Sequence, residues 1–355
     1  MIVKSVMDLF SNVFNKTLNY KNMNNKMTFR AMSGLILAVA FAVILCSSGS
    51  TKEETVATEA NITNGLINAK LYLPDADTGY YRGVRFDWSG LIASLEYAGH
   101  TYIGQWFANY GPYVHDAVLG PMQEFESIDF ESAAVGDPFL KVGVGVLTRI
   151  DDRNYSIGKY YTPVDLGKWN IKTGANFVEF TQVLESQIGY SYVYTKTVTL
   201  TEGKPELKVT HSLKNTGEKT INTEVYNHNF FIIDKELAGP NIRLIFNFNL
   251  EGEGRGVGET VSIQENKLIY LQELTRGNVM IEPINGYGPT EADYDFRIEN
   301  LKTKTGIRVQ GNRPLSRIRF WTMNTTYCPE PYIAVIAKPN QEFSWEYTYS
   351  FYTFE

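Results

Sequence analysis

Phe343-Ser-Trp345-Glu-Tyr347-Thr-Tyr349-Ser-Phe351 decides the fold class. Five aromatic residues alternate with Ser344, Glu346, Thr348 and Ser350, a period of two. Successive side chains of a strand point to opposite faces, whereas a helix would scatter these rings around its axis. The segment therefore reads as a strand with one buried face. Working outward, Tyr190, Tyr192 and Tyr194 alternate in the same way, as do Leu207, Val209, His211 and Leu213. Turn-forming residues fall between such runs: Glu202-Gly203, Asn215-Thr216-Gly217, Gly311-Asn312 and Pro339-Asn340. Outside the N-terminal apolar segment, no long stretch repeats with the 3.6-residue period of a helix. Many closely spaced strands without alternating helices predict an all-β fold, an antiparallel sandwich or barrel, forming one domain over residues 62–355.

Composition narrows the function. The chain has 355 residues, 43% hydrophobic, 14% aromatic and 20% charged, with a net charge of −6. Five basic side chains (Lys4, Lys16, Lys21, Lys26, Arg30) and one acid (Asp8) fall in residues 1–45, leaving −10 on the rest. A body so acidic, with no basic run, predicts no nucleic-acid partner and no electrostatic binding to an anionic membrane. Two cysteines cannot build a disulfide framework or a zinc site.

The N-terminus reads as a targeting segment. Gly34–Leu45 is a run of twelve apolar residues, preceded by Lys26 and Arg30 and followed by Cys46-Ser-Ser-Gly-Ser. Spanning a bilayer takes ~20 apolar residues, so this run suits a signal-peptide core. Apolar residues leading up to a cysteine and a Ser/Gly spacer resemble a bacterial lipoprotein signal, in which the cysteine becomes the acylated first residue. Leu45 departs from the small residue usual before that cysteine. An ordinary secretory signal or an uncleaved anchor are the alternatives. The expectation is a signal peptide over 1–45, lipidation at Cys46, a flexible tether over 46–61, and a membrane-anchored lipoprotein of the bacterial cell envelope. Residues 1–26 read as a start-site artefact, because Met27 opens a more usual signal.

Several motifs invite chemistry. Gly252-Glu-Gly-Arg-Gly-Val-Gly258 lacks the strand-then-helix flanks of a phosphate loop and reads as a hairpin turn. Val142-Gly-Val-Gly-Val146 reads as a strand relieved by glycine where something packs closely. His211 shares its face with Leu207, Val209 and Leu213 and reads as a core histidine, while His100 reads as a hairpin tip and His115 as surface or site. His228 is different: Glu224, Tyr226, His228 and Phe230 share one strand face, which suggests the wall of a polar pocket, with a hydrogen-bonded surface strand as the alternative. Glu330 stands in Tyr327-Cys-Pro-Glu-Pro-Tyr332, where prolines on both sides restrict the backbone. That suggests a placed carboxylate, although a turn glutamate explains it about as well.

Together these residues resemble the galactose mutarotase (aldose 1-epimerase) superfamily. Asn215-Thr-Gly217, His228-Asn-Phe-Phe231 and Cys328-Pro-Glu-Pro331 follow in the order of its motifs, and Pro339-Asn-Gln-Glu-Phe343 is similar to its closing segment. Tyr81-Arg-Gly-Val-Arg-Phe-Asp87 and Gly90–Glu96 sit where its opening strands build up. The likeness spans most of residues 65–355, with the strong motifs in the C-terminal half. It implies a large antiparallel β-sandwich of the supersandwich type that binds a mono- or oligosaccharide on its concave face. It also implies Glu330 as general base and His228 as general acid. Opening a hemiacetal needs one proton acceptor and one donor, without metal or cofactor. Excess aromatics suit sugar C–H faces.

The departures from the family are early in the chain. Where the family carries an Asn-Arg pair and a His-Gly-Gly segment, this chain has Gly120–Phe125 and Leu140–Gly143, so Glu124 and Lys141 stand in for the basic residue and the first histidine. Arg82 and Arg85 are candidate replacements for the arginine, and Tyr226 is a further candidate sugar contact. Three functions follow from the resemblance: an aldose 1-epimerase-like isomerase, a non-catalytic carbohydrate-binding lipoprotein, and a lyase or hydrolase on the same sandwich. The last usually carries a helical domain that this sequence lacks.

Overall fold

The computed structural model describes residues 58–355; the signal segment, Cys46 and most of the tether lie outside the described residues. The first strand, Glu59–Thr63, begins within the stretch read as tether. Among the described residues there is no α-helix, only two three-residue 3-10 turns at Ile233–Lys235 and Glu291–Asp293. Strands form sheets of ten, six, four and three. The two largest make a β-sandwich.

The aromatic segment behaves as its period predicts. Glu342–Thr353 lies in the middle of the ten-stranded sheet, between Glu206–Asn215 and Thr305–Gly311. Trp345, Tyr347, Tyr349 and Phe351 are buried, and Phe343 at the frayed end is half-buried. Fully burying a large apolar side chain stabilises by about 1.5–3 kcal/mol, so these rings are a principal source of the core. Across the sandwich, Phe125 of the six-stranded sheet meets Tyr194 and Trp345 edge-on, at 5.6 and 6.1 Å between centroids. His211 is a core residue, stacked on Trp345 at 4.6 Å, with Nδ1 3.0 Å from the Tyr194 hydroxyl.

The six-stranded sheet runs, in order, Glu251–Arg255, Asn278–Asn285, Arg317–Met323, Thr326–Ala337, Ile221–Phe230 and Gly120–Phe125. Its inner face packs on the ten-stranded sheet and its other face carries the candidate site. The Tyr327–Tyr332 motif is not a turn: it lies inside a twelve-residue central strand. Prolines are rare there because they cannot donate to a ladder. The consequence is local. Pairing with Ile221–Phe230 runs from Ile221↔Ala337 to Tyr226↔Tyr332 and resumes only at a Phe231↔Tyr327 bridge. In the gap, Asn229 Nδ2 donates to the Pro329 carbonyl at 2.8 Å. A side-chain amide thus satisfies the Pro329 carbonyl where the main-chain ladder is interrupted.

Val142–Val146 is not a continuous strand: Val142, Gly143 and Val144 form a turn joining Pro138–Lys141 to Gly145–Thr148. The close packing expected there is present: Gly143 has φ +79°, and a Cβ on it would lie 2.7 Å from the Asp87 Cβ. Glycine is required on both counts. Gly252 and Gly254 lie within the Glu251–Arg255 edge strand at a register shift, with the turn following them.

Candidate functional site

His228 and Glu330 occupy neighbouring strands of the six-stranded sheet, inside the gap the prolines create. Their side chains meet at 3.3 Å between Nε2 and Oε1 without hydrogen-bond alignment. Both are buried, and His228 Nδ1 and Glu330 Oε1 have no hydrogen-bond partner. Buried polar atoms without protein partners are costly, and here they stand at the wall of a cavity. The two groups line a cavity of about 250 Å³ together with Arg85, His115, Asp116, Ile157, Met280, Arg319, Trp106, Trp321 and Phe230. Phe230 stacks on the His228 imidazole at 3.8 Å and on Trp106 at 4.7 Å, fixing the plane of the ring.

Arginine sets the electrostatics. Arg319 Nε donates to Glu330 Oε2 at 2.5 Å. Burial pushes the Glu330 carboxyl up, further than Arg319 draws it back, to about 7. Burial, with Arg85 and Arg319 adding to it, drives the His228 imidazole well below its ordinary value of 6.5. The imidazole is therefore held neutral, while the carboxyl keeps its proton further toward neutral pH than an ordinary carboxyl does. A neutral imidazole beside a carboxyl that keeps its proton is set to accept one proton as the carboxyl gives another.

Behind the cavity lies a buried ionic cluster. Glu124 accepts from Arg85 Nε at 2.7 Å, from Lys141 Nζ at 3.1 Å and from the Tyr226 hydroxyl at 2.5 Å. Tyr226 in turn accepts from Arg85 at 3.0 Å and Arg319 at 3.3 Å. Burial alone would raise the Glu124 carboxyl, but Lys141 and Arg85 beside it hold it at about 2. Lys141 also donates to the Tyr155 hydroxyl at 2.5 Å.

Arg85 reaches this cluster from an irregular segment locked at several points. The Tyr81 hydroxyl accepts from the Arg85 and Phe86 amides at 3.3 Å and donates to the His115 carbonyl at 3.0 Å. Trp88 Nε1 bonds the Gly83 carbonyl at 2.8 Å, and Asp87 N bonds the Gln123 carbonyl at 2.9 Å.

The structure thus brings Arg85, Glu124, Lys141, Tyr226, His228 and Glu330 into one connected network, of which only Arg85, His228 and Glu330 line the cavity. Glu124, Lys141 and Tyr226 stand behind the cavity wall, their polar atoms taken up by one another, by Arg85 and by Arg319. Arg82 is not among the lining residues of the cavity: it lies over the Tyr113 ring at 4.8 Å and donates to the Asp77 carbonyl. Arg319, Trp321 and Trp106 are missing from the residues the sequence singles out. The first two had a signal: Arg317-Ile-Arg319-Phe-Trp321 alternates just upstream of the proline motif. Among the described residues no three of His, Cys, Asp or Glu converge as a metal site requires.

No family model matches the sequence, and no curated protein does. Solved structures do resemble it. A galactose mutarotase-like protein from Clostridium acetobutylicum superposes with a TM-score of 0.52 at 13% identity, covering 85% of this chain and 97% of that one. A galactose mutarotase related enzyme from Lactobacillus acidophilus gives 0.51 at 12% identity, covering 83% and 98%. A protein of Synechocystis sp. PCC 6803 gives 0.51 at 12% identity, covering 84% and 96%. At these identities the likeness speaks for the fold: the chain is a galactose mutarotase-like β-sandwich.

Proposed function

We propose that the cavity binds a sugar hemiacetal and that His228 and Glu330 interconvert its anomers. The observation that carries this reading is a partly unsatisfied imidazole–carboxyl pair, facing each other at 3.3 Å in a cavity walled by Trp106, Trp321 and Phe230. Groups so close can address two oxygens bonded to one carbon. His228 takes the proton of the anomeric hydroxyl as Glu330 gives its own to the ring oxygen. The carbon–ring-oxygen bond breaks and the carbonyl forms; rotation and the reverse transfers close the other anomer and restore the pair.

The pair works only while it holds one proton. Glu330 loses its proton as pH rises through about 7, so kcat/KM should fall above that point. Protonating His228 well below 6.5 should stop the reaction at the acid end. NMR or polarimetry on a panel of aldoses tests this with the full chain. Glu330→Gln and His228→Ala should each lose about 10²–10⁴ in rate.

The second reading is a non-catalytic saccharide-binding protein. It is favoured by the mutual approach of the pair, which leaves no room for a ring to pass between them, and by the locking of Glu124 and Lys141 in an internal cluster. A sugar that binds without acceleration over buffer by the wild type would establish it.

We propose also that the domain is exported and held on the bacterial envelope through acylated Cys46. The twelve-residue apolar run ending at that cysteine supports this. Intact-mass analysis of the membrane-extracted protein should show acyl groups that Cys46→Ser lacks; an unacylated wild type would exclude the anchor.

A further inference from the structure

Two loops that line the cavity also carry exposed tyrosines with no role in the chemistry above. Tyr113 and Tyr160, 51% and 41% exposed, meet edge-to-face at 5.4 Å between centroids. Both belong to loops that also line the cavity: Tyr113 precedes His115 and Asp116, and Tyr160 follows Ile157. The loops touch there, since a Cβ on Gly158 would lie 3.9 Å from His115 Cε1. Farther out, Tyr110, 49% exposed, stacks on Tyr80 at 4.5 Å.

These rings are exposed yet held. Arg82 lies over Tyr113 at 4.8 Å, and its own amide bonds the Pro112 carbonyl at 2.7 Å. The Tyr110 hydroxyl donates to the Tyr80 carbonyl at 2.6 Å. Fixed aromatic faces lose little conformational freedom on binding, and exposed patches of this kind mark interaction sites.

We infer that Tyr113 and Tyr160 form a second saccharide subsite, taking the next unit of an oligosaccharide whose reducing end lies in the cavity. This rests on the reading of the cavity as a sugar site. Continuity along the shared loops names the occupant. The cavity, at about 250 Å³, is below the ~300–1,000 Å³ of sites for drug-sized ligands and suits one ring. Further units must leave through its mouth, where the ring faces of Tyr113 and Tyr160 meet sugar C–H faces. The same patch would add nothing to a monosaccharide.

Binding of D-glucose, D-galactose and D-mannose is compared with that of their reducing di- and trisaccharides, by calorimetry and saturation-transfer NMR on the full chain. In the wild type an oligomer should bind about tenfold tighter than its own monomer, with saturation on at least two units. Tyr113→Ala and Tyr160→Ala should each remove about fivefold of that gain, the size of one aromatic contact, and leave the monosaccharide affinity unchanged. Tyr113→Phe should keep the gain, which separates loss of the ring from loss of fold. Equal binding of monomer and oligomer, or alanine variants that leave their ratio intact, overturns the subsite while the cavity reading stands. Absence of binding by every sugar overturns both.

Discussion

Glu330 has a neighbour that charges it and surroundings that resist the charge. Its carboxyl titrates near 7 instead of the ordinary 4.5, because burial outweighs the contact with Arg319. A carboxyl raised in the folded state binds its proton more tightly there than in the unfolded chain. The stability this confers is fully present below about 4.5 and is lost as pH rises through about 7. Removing the charge should therefore help at high pH: relative to the wild type, Glu330→Gln should gain on the order of 3 kcal/mol between pH 4 and pH 8. Urea unfolding at a series of pH values measures this, and a pH-independent difference would mean that the carboxyl is not raised. At this scale the sequence is informative where a local pattern restricts a residue, as prolines do for Glu330 and strand alternation does for His228. It is silent about pairing. Glu124 meets Arg85 and Lys141 across 39 and 17 positions of chain, and no local pattern says that its charge is already taken.

Among the elements, the strands announce themselves through period two and through the turns between them, since each has one apolar face. Two elements do not. Pro329 and Pro331 look like the flanks of a turn because proline is excluded from most central strands; here the ladder is interrupted beside them, and the Pro329 carbonyl is met by Asn229, a residue on a different strand about a hundred positions away. Val142–Val146 looks like a strand because its valines alternate, but the positive φ of Gly143 turns the chain against Asp87. The proline case gives a test. Asn229→Ala would leave the Pro329 carbonyl buried without a donor, a loss of about 1–3 kcal/mol. Denaturant unfolding should show that loss with an unchanged m-value. A neutral outcome would mean that the ladder gap is bridged in some other way.

The whole molecule hangs its site on a contact between the ten-stranded sheet and the irregular segment at residues 81–90. Lys196, on the strand Ser191–Leu200, is 1% exposed and donates to Asp87 Oδ2 at 3.1 Å and to the Ser89 carbonyl at 2.8 Å. Asp87 also accepts from Ser89 and from the Tyr194 hydroxyl, and two residues before it stands Arg85, on the wall of the cavity. A buried ion pair contributes little against a well-packed apolar pair, but breaking it by removing one partner costs about 3–5 kcal/mol. Lys196→Met leaves the Asp87 carboxylate buried with two hydroxyls and amides only. The variant should lose about that much stability, and sugar binding in the cavity should weaken although Lys196 is remote from it. Adding Asp87→Asn should return part of the stability, since an unpaired amide is cheaper to bury than an unpaired carboxylate. Thermal unfolding of the single and double variants, with sugar affinity measured on each well below its Tm, separates the two effects. A destabilised variant with unchanged affinity would show that the pair holds the sandwich together without holding Arg85 in place.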